Sequence, residues 1–284
     1  MPSRTDAIAR LLSPQADLGG LLAVAVIRDT RGIALGEAER FNCFPASPLC
    51  TVTWVAEGRL HRVDETGSID STPLPPMFVG GPYHRPLVSW SPGGVHAMTV
   101  AVFPDAWSRV TGVAAASLAD RFDALDAVLA GEMLQIFRDV LDVDDFTAGF
   151  DRLQDRLRPC ARAGAAGPSE TPPPRLADWT QALAARAAGV GRPDSVRTAQ
   201  RRVKAWTGQT LRELNLHARL ESLLDAGGVR SRGLAEIAAD AGYADQSHMG
   251  REVRRHTGQS PVRMRSLVKS DPRYWIYRAL AARR

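Results

Sequence analysis

Two stretches fifty positions apart in this chain repeat one another. Ser195 to Thr210, SVRTAQRRVKAWTGQT, aligns without gaps on Asp245 to Ser260, DQSHMGREVRRHTGQS. Arg201 falls on Arg251, Val203 on Val253, and Thr207-Gly208-Gln209 on Thr257-Gly258-Gln259. A capping residue opens each copy, Ser195 or Asp194 in the first and Asp245 in the second, and a glycine suited to a left-handed stop closes it. Each copy therefore reads as a bounded helix of about three turns. Whatever the C-terminal third folds into has to present the same short basic helix twice.

Turning about 100° per residue separates the faces of these helices. In the first, Val196, Ala199, Val203 and Trp206 fall on one side, with Arg197, Thr198 and Arg201 opposite and Gln200 and Lys204 at the margin. In the second, Met249, Val253 and His256 face inward, Ser247, Arg251 and Arg254 face away, and Gln246 and His248 flank the start. A solvated helix face normally mixes charges of both signs. Both outward faces here are hydrogen-bonding in the first turn and cationic beyond it, which suits base edges and phosphates respectively.

An apolar helix precedes each copy, Arg175 to Gly189 and Gly233 to Gly242. That order is a helix-turn-helix: Gly242 allows the tight turn, Tyr243 packs back as an anchor, and the next helix is free to enter a major groove about 12 Å wide. A connecting helix over Thr210 to Leu224 would span about 22 Å at about 1.5 Å per residue. It would let the two recognition helices address major-groove segments about 34 Å apart on one face of a duplex.

Charge is segregated in the same sense. Residues 175–284 hold 21 Lys and Arg against 10 Asp and Glu, leaving 15 against 21 in residues 1–174, so a net charge of +5 divides into +11 and −6. A basic domain of this kind is the electrostatic footprint of a polyanion partner.

Ahead of the basic domain the pattern changes. Pro159 to Arg175, PCARAGAAGPSETPPPR, reads as a semi-rigid spacer. Before it, Leu125, Val128, Leu129, Glu132, Met133, Ile136, Phe137 and Val140 form one mostly apolar stripe at helical spacing, and Phe146, Phe150, Leu153 and Leu157 form another. These helices cover the N-terminal core or form a dimer seam. The runs LLAVAVI, CTVTWVAEG, PLVSW and HAMTVAVF, between residues 20 and 105, read as strands separated by Gly and Pro clusters.

The chain is therefore expected to be α+β. A small β-barrel or sandwich with covering helices occupies residues 1–158, a Pro/Gly-rich linker 159–174, and an all-α domain of two helix-turn-helix motifs joined by a connecting helix 175–284. A pocket in the β domain would draw on Trp54, His84, Arg85, Trp90 and His96. No metal or other cofactor is expected, because His61, His84 and His96 are scattered and no HExxH or CxxC occurs. GxGxxG, GxxxxGK[ST] and GxSxG are likewise missing, and the apolar run Leu21 to Ile27 is too short for a membrane helix. A non-enzymatic protein of the cytoplasm, associated with the nucleoid when bound to DNA, is the expectation.

From these residues the chain resembles the AraC/XylS family of bacterial transcription regulators. LAEIAADAGYADQSHMGREVRRHTGQSPVRMR is similar to the family's second helix-turn-helix, and SVRTAQRRVKAWTGQTLRELNLHARLESLL to its first recognition helix and connecting helix. The resemblance spans about residues 176–265. It implies base-reading positions at Arg197, Gln200 and Arg201, and at Gln246, Ser247, His248 and Arg251; Lys204 and Arg254 join them from the face assignment. It also implies double-stranded promoter DNA as partner, with RNA polymerase, a small-molecule effector and a second copy of the chain as further candidates, and activation and repression both open. The family commonly places phenylalanine where this chain has Val203, Met249 and Val253; the first turn, GVGRPD, is longer than usual; and residues 266–284 extend past the family unit. The alternatives are a DNA-repair methyl acceptor using Cys43 or Cys50, a ligand-transforming enzyme with a fused DNA-binding unit, and an architectural DNA protein without sequence preference.

Overall fold

The computed structural model describes residues 9–142, 145–163, 174–189, 196–225, 238–239 and 243–281. The four β-rich runs become β2 (Leu22–Asp29), β4 (Cys50–Glu57), β7 (Leu87–Trp90) and β8 (His96–Val102), joined by β1 (Ala9–Leu12), β3 (Phe41–Phe44), β5 (His61–Val63), β6 (Met77–Gly80) and β9 (Phe122–Ala124). They form two open antiparallel sheets, one in the order β1-β2-β8-β4-β6-β9 and the other β3-β7-β5. Among the described residues no closed barrel forms, so of the two architectures expected the two-sheet one is found.

Strand alternation gives the large sheet two different faces. Val52 pairs with Val79 on one side and Val100 on the other, and Trp54 pairs with Met98, so every second residue of β4 joins one apolar face. That face is covered by α1 (Pro104–Thr111), α2 (Leu125–Val128), α3 (Gly131–Arg138) and α4 (Phe146–Ala163). Trp54 is fully buried there, stacked on Phe137, and its indole N–H donates to the Phe137 carbonyl at 2.8 Å. Trp54→Ala should cost about 3–5 kcal/mol, because it opens a cavity and strands that carbonyl; chemical denaturation measures it, and a loss below about 1 kcal/mol would place Trp54 outside the core. The opposite face carries Val55, Phe78 and Ala97, which meet Leu60, Leu74 and Phe122, while Thr53 and Thr99 share a hydroxyl hydrogen bond of 2.9 Å.

Two expected elements differ in detail. The first stripe is not one helix: Leu129 and Ala130 are extended and Gly131 takes φ +57°, so α2 ends and α3 begins on a new axis. The break lets Leu125, Leu129, Ile136 and Phe137 all reach one core. The second stripe forms α4, which continues through Pro159 to Ala163, five residues into the segment expected to be linker. Phe146, Phe150, Leu153 and Leu157 are buried against the sheet's helical cover, which makes them core and not a dimer seam.

The basic part is helical: α5 (Leu176–Gly189), α6 (Val196–Thr207), α7 (Leu211–Asp225), α8 (Gln246–Thr257), α9 (Pro261–Ser270) and α10 (Trp275–Ala281). Its first half does not stand apart. Trp179, Leu183, Ala187, Val203 and Leu214 belong to the same apolar cluster as the covered face of the large sheet. Asp105, at the start of α1, accepts from Trp179 Nε1 at 3.0 Å and from Arg186 at 2.5 Å. Leu220, Leu223, Ala238, Tyr243, Met249 and Val253 form a second core around the later motif. Among the described residues no helix is long and apolar enough to cross a membrane.

Candidate nucleic-acid interface

The repeat seen in the sequence is also a repeat of geometry. Thr207 Oγ1 donates to Val203 O at 2.8 Å, and Thr257 Oγ1 donates to Val253 O at 2.8 Å. Gln209 N and Gln259 N then donate back to Thr207 and Thr257 Oγ1, each at 3.2 Å. Gly208 and Gly258, at φ +76° and +74°, turn the chain out of α6 and α8. A hydroxyl at the cap follows at once: Thr210 and Glu213 bond reciprocally to start α7, and Ser260 accepts from Arg263 N to start α9. The same Thr-Gly-Gln-hydroxyl string thus ends one helix and begins the next in both motifs.

At its other end α8 is capped by Asp245, whose carboxylate accepts from His248 N at 2.7 Å and is held below the usual aspartate range first by that bond. Asp245→Ala should destabilise the second motif by about 0.5–2 kcal/mol. Amide hydrogen exchange across Ser247 to Gly250 measures this, and unchanged protection would show the cap to be idle. The corresponding cap of α6, at Asp194 or Ser195, lies outside the described residues, as do the turn GVGRPD beyond Gly189 and the glycine at 242.

Eight of the nine expected DNA-facing side chains are exposed: Arg197, Gln200, Arg201 and Lys204 on α6, and Gln246, Ser247, Arg251 and Arg254 on α8. His248 is half-buried; its Nε2 lies 3.1 Å from Glu252 Oε1 and its ring stands edge-on to Tyr243. Inward residues sit where the faces were assigned, with Val203, Met249, Val253 and His256 buried and Ala199 and Trp206 partly so. Val196 is a correction. It is 75% exposed on the first turn of α6, outside the apolar cluster that takes in Ala199, Val203 and Trp206.

A positioning network was not visible beforehand. Arg219 on α7 is 3.3 Å from Glu252 on α8, and its guanidinium lies 4.9 Å from the centre of the Tyr243 ring. Glu252 thus ties α8 to the connecting helix while restraining His248. The i, i+4 spacing of His248 and Glu252 was the available signal; the partnership with Arg219 depends on the crossing of two helices.

The N-terminal domain reaches the same helix ends. Gln209 Nε2 lies 3.4 Å from the carbonyl of Ser47 and 3.3 Å from that of Tyr83, and Ala46 N donates to the His256 carbonyl at 2.8 Å. His217 of α7 packs edge-on to His256, with ring centroids 4.6 Å apart. Burial, then the neighbouring His256, pushes the His217 pKa down to about 3, and burial lowers His256 as well. Both rings are neutral in the fold. Below the ordinary histidine pKa of about 6.5 the unfolded chain binds protons that the fold refuses, so stability is full above that value and falls as pH drops through the range toward about 3. Melting temperature should decline from pH about 7.5 to about 5.5, and less steeply in a His217→Phe chain, where only His256 still resists protonation; an unchanged decline would exclude His217 as a source.

The five side chains expected to line a ligand pocket are not gathered. Trp54 belongs to the core described above. Trp90 lies in the small sheet beside His61, His96 rests against Phe146, His84 pairs with Asp120 at 2.7 Å, and Arg85 pairs with Glu65. Among the described residues no three His, Cys, Asp or Glu side chains could hold a metal ion. Burial pushes the thiols of Cys50 and Cys43 up, away from the thiolate a methyl acceptor needs.

These features define a helical domain in which two basic helices, α6 and α8, repeat one hydrogen-bond pattern at their ends. Residues 185–266 match the family model described as a helix-turn-helix domain. No curated protein matches the chain. Among solved structures, an apo variant of ToxT from Vibrio cholerae is similar at 10% identity, covering 86% of this chain and 96% of that one, with a TM-score of 0.40. ToxT from the same organism bound to an unsaturated fatty acid is 10% identical over 79% of this chain and 94% of that one, at 0.35. The AraC-like transcriptional activator CuxR is 11% identical over 96% and 91%, at 0.27.

Proposed function

We propose that the protein is a sequence-specific transcription regulator that reads promoter DNA with α6 and α8, Arg201 and Arg251 hydrogen-bonding to base edges. Arg197, Gln200, Gln246, Ser247 and His248 contribute further contacts to bases, and Lys204 and Arg254 contact phosphates. One observation carries this: an outward face with hydrogen-bonding groups in the first turn and cations beyond it recurs on two helices whose ends share one hydrogen-bond pattern, and eight of its nine expected DNA-facing side chains are exposed. A merely solvated pair of basic helices has no reason to repeat it. Phosphate contacts set the register and base contacts set the sequence, so this order of groups matches what a groove presents to an entering helix.

Passing fragmented genomic DNA over the purified full chain and sequencing what is retained tests the proposal. The expected result is enrichment of a few promoter fragments sharing a two-part motif. Uniform retention of all fragments would contradict it and favour an architectural protein.

A further inference from the structure

The residues beyond the family unit have a place in the fold. After α9, Asp271 caps a single 3-10 turn by accepting from Arg273 N at 3.0 Å, and α10 follows with Trp275, Ile276 and Tyr277 all buried. Trp275 sits between the two sheets of the N-terminal domain. Its indole N–H donates to Asn42 Oδ1 on β3 at 2.8 Å, the Arg28 guanidinium on β2 lies 4.7 Å from its ring, and Phe44 meets it edge-on at 6.1 Å. Asn42 Nδ2 in turn donates to Ser89 Oγ on β7 at 3.2 Å. At the other end, Arg278 donates to the carbonyls of Val268 and Asp271, at 2.9 and 3.0 Å, which ties α10 back to α9.

We propose that residues 271–281 are a latch that fixes the second helix-turn-helix at a set distance from the first, in register for two successive major-groove segments before DNA is met. The first motif is already fastened to the N-terminal domain through Asp105 and the shared core. Without the latch, the second motif hangs chiefly on α7 and on the contact of Ala46 with His256. The latch closes a mechanical loop through the N-terminal domain, α7, the second motif and back. It is not a cover, because Arg201, Lys204, Arg251 and Arg254 are exposed while Trp275 is seated. Pre-ordering of this kind lowers the ordering cost of binding, so it acts on the composite site and leaves either half-motif alone unaffected. The inference rests on the DNA-binding reading above.

The test uses full-length chain, as wild type, Trp275→Ala and Trp275→Phe; the last keeps a ring and removes the N–H that Asn42 accepts. Amide exchange over residues 271–281 reports the latch without DNA. Binding is then measured on a retained promoter fragment and on the same fragment with about five base pairs, half a helical turn, inserted between its two half-motifs. Wild type should be protected at residues 271–281 and should bind the lengthened site about tenfold or more weaker. Trp275→Ala should lose the protection, bind the natural site about tenfold weaker and show little further loss on insertion, with Trp275→Phe in between. A released segment with wild-type affinity and the full spacing penalty would overturn the latch, and so would tighter binding, which would make it an inhibitory contact. If wild type binds no DNA selectively while residues 271–281 are protected and Trp275→Ala frees them, the DNA-binding reading fails and the mechanical tie stands.

Discussion

Raising salt from about 50 to about 200 mM is expected to weaken binding to the DNA site by about 10³- to 10⁵-fold, the loss that follows when about 6–10 phosphates are neutralised. The cations for this are on the surface: Lys204 on α6 and Arg254 on α8 beside the proposed base-reading arginines, with Arg212 exposed on α7, Arg255 on α8, and Arg263 and Lys269 on α9. They lie in a part of the chain that carries +11, while residues 1–174 carry −6. Each phosphate contact releases counterions, and that release weakens as salt rises. A plot of log affinity against log salt concentration should be linear with a slope of about −5 to −9. A slope near zero would mean that the basic surface is only solvated.

Replacing Arg201 or Arg251 by alanine should act differently. Each is expected to lose about 1–3 kcal/mol of discrimination at one base pair, most readily a guanine, while affinity for random DNA falls little. The two arginines are exposed on helices whose inward residues pack into separate cores, and they share no partner among the described contacts, so their losses should add in the double variant. Competition binding against single-base variants of the retained site measures this. Equal weakening on every sequence would turn both arginines into phosphate contacts.

Much of this was legible in the residues. The repeat located both basic helices, α6 and α8, because glycine stops and turn periodicity are local properties and local rules suffice to read them. Strand positions were clear from Val52, Trp54, Met98 and Val100 for the same reason. What stayed hidden depended on contacts between distant segments. Gly131 could interrupt a continuous apolar stripe because its core is reached from two directions. Trp54 and Trp90 look alike in sequence, and only the sheet order assigns them to different environments. Composition suggested a division at the proline-rich segment, yet Trp179 and Val203 bury in the same apolar cluster as the large sheet, which charge and proline content do not reveal. Trp275 gave no signal, since its partners Arg28 and Asn42 lie more than two hundred positions earlier.

Guanine-methylation interference on a retained promoter fragment, run with wild type, Arg201→Ala and Arg251→Ala, tests the central claim most directly. The account predicts two clusters of interfering guanines about one helical turn apart on one face of the duplex, with one cluster lost in each variant. A single cluster, or two that fade together in either variant, would contradict it.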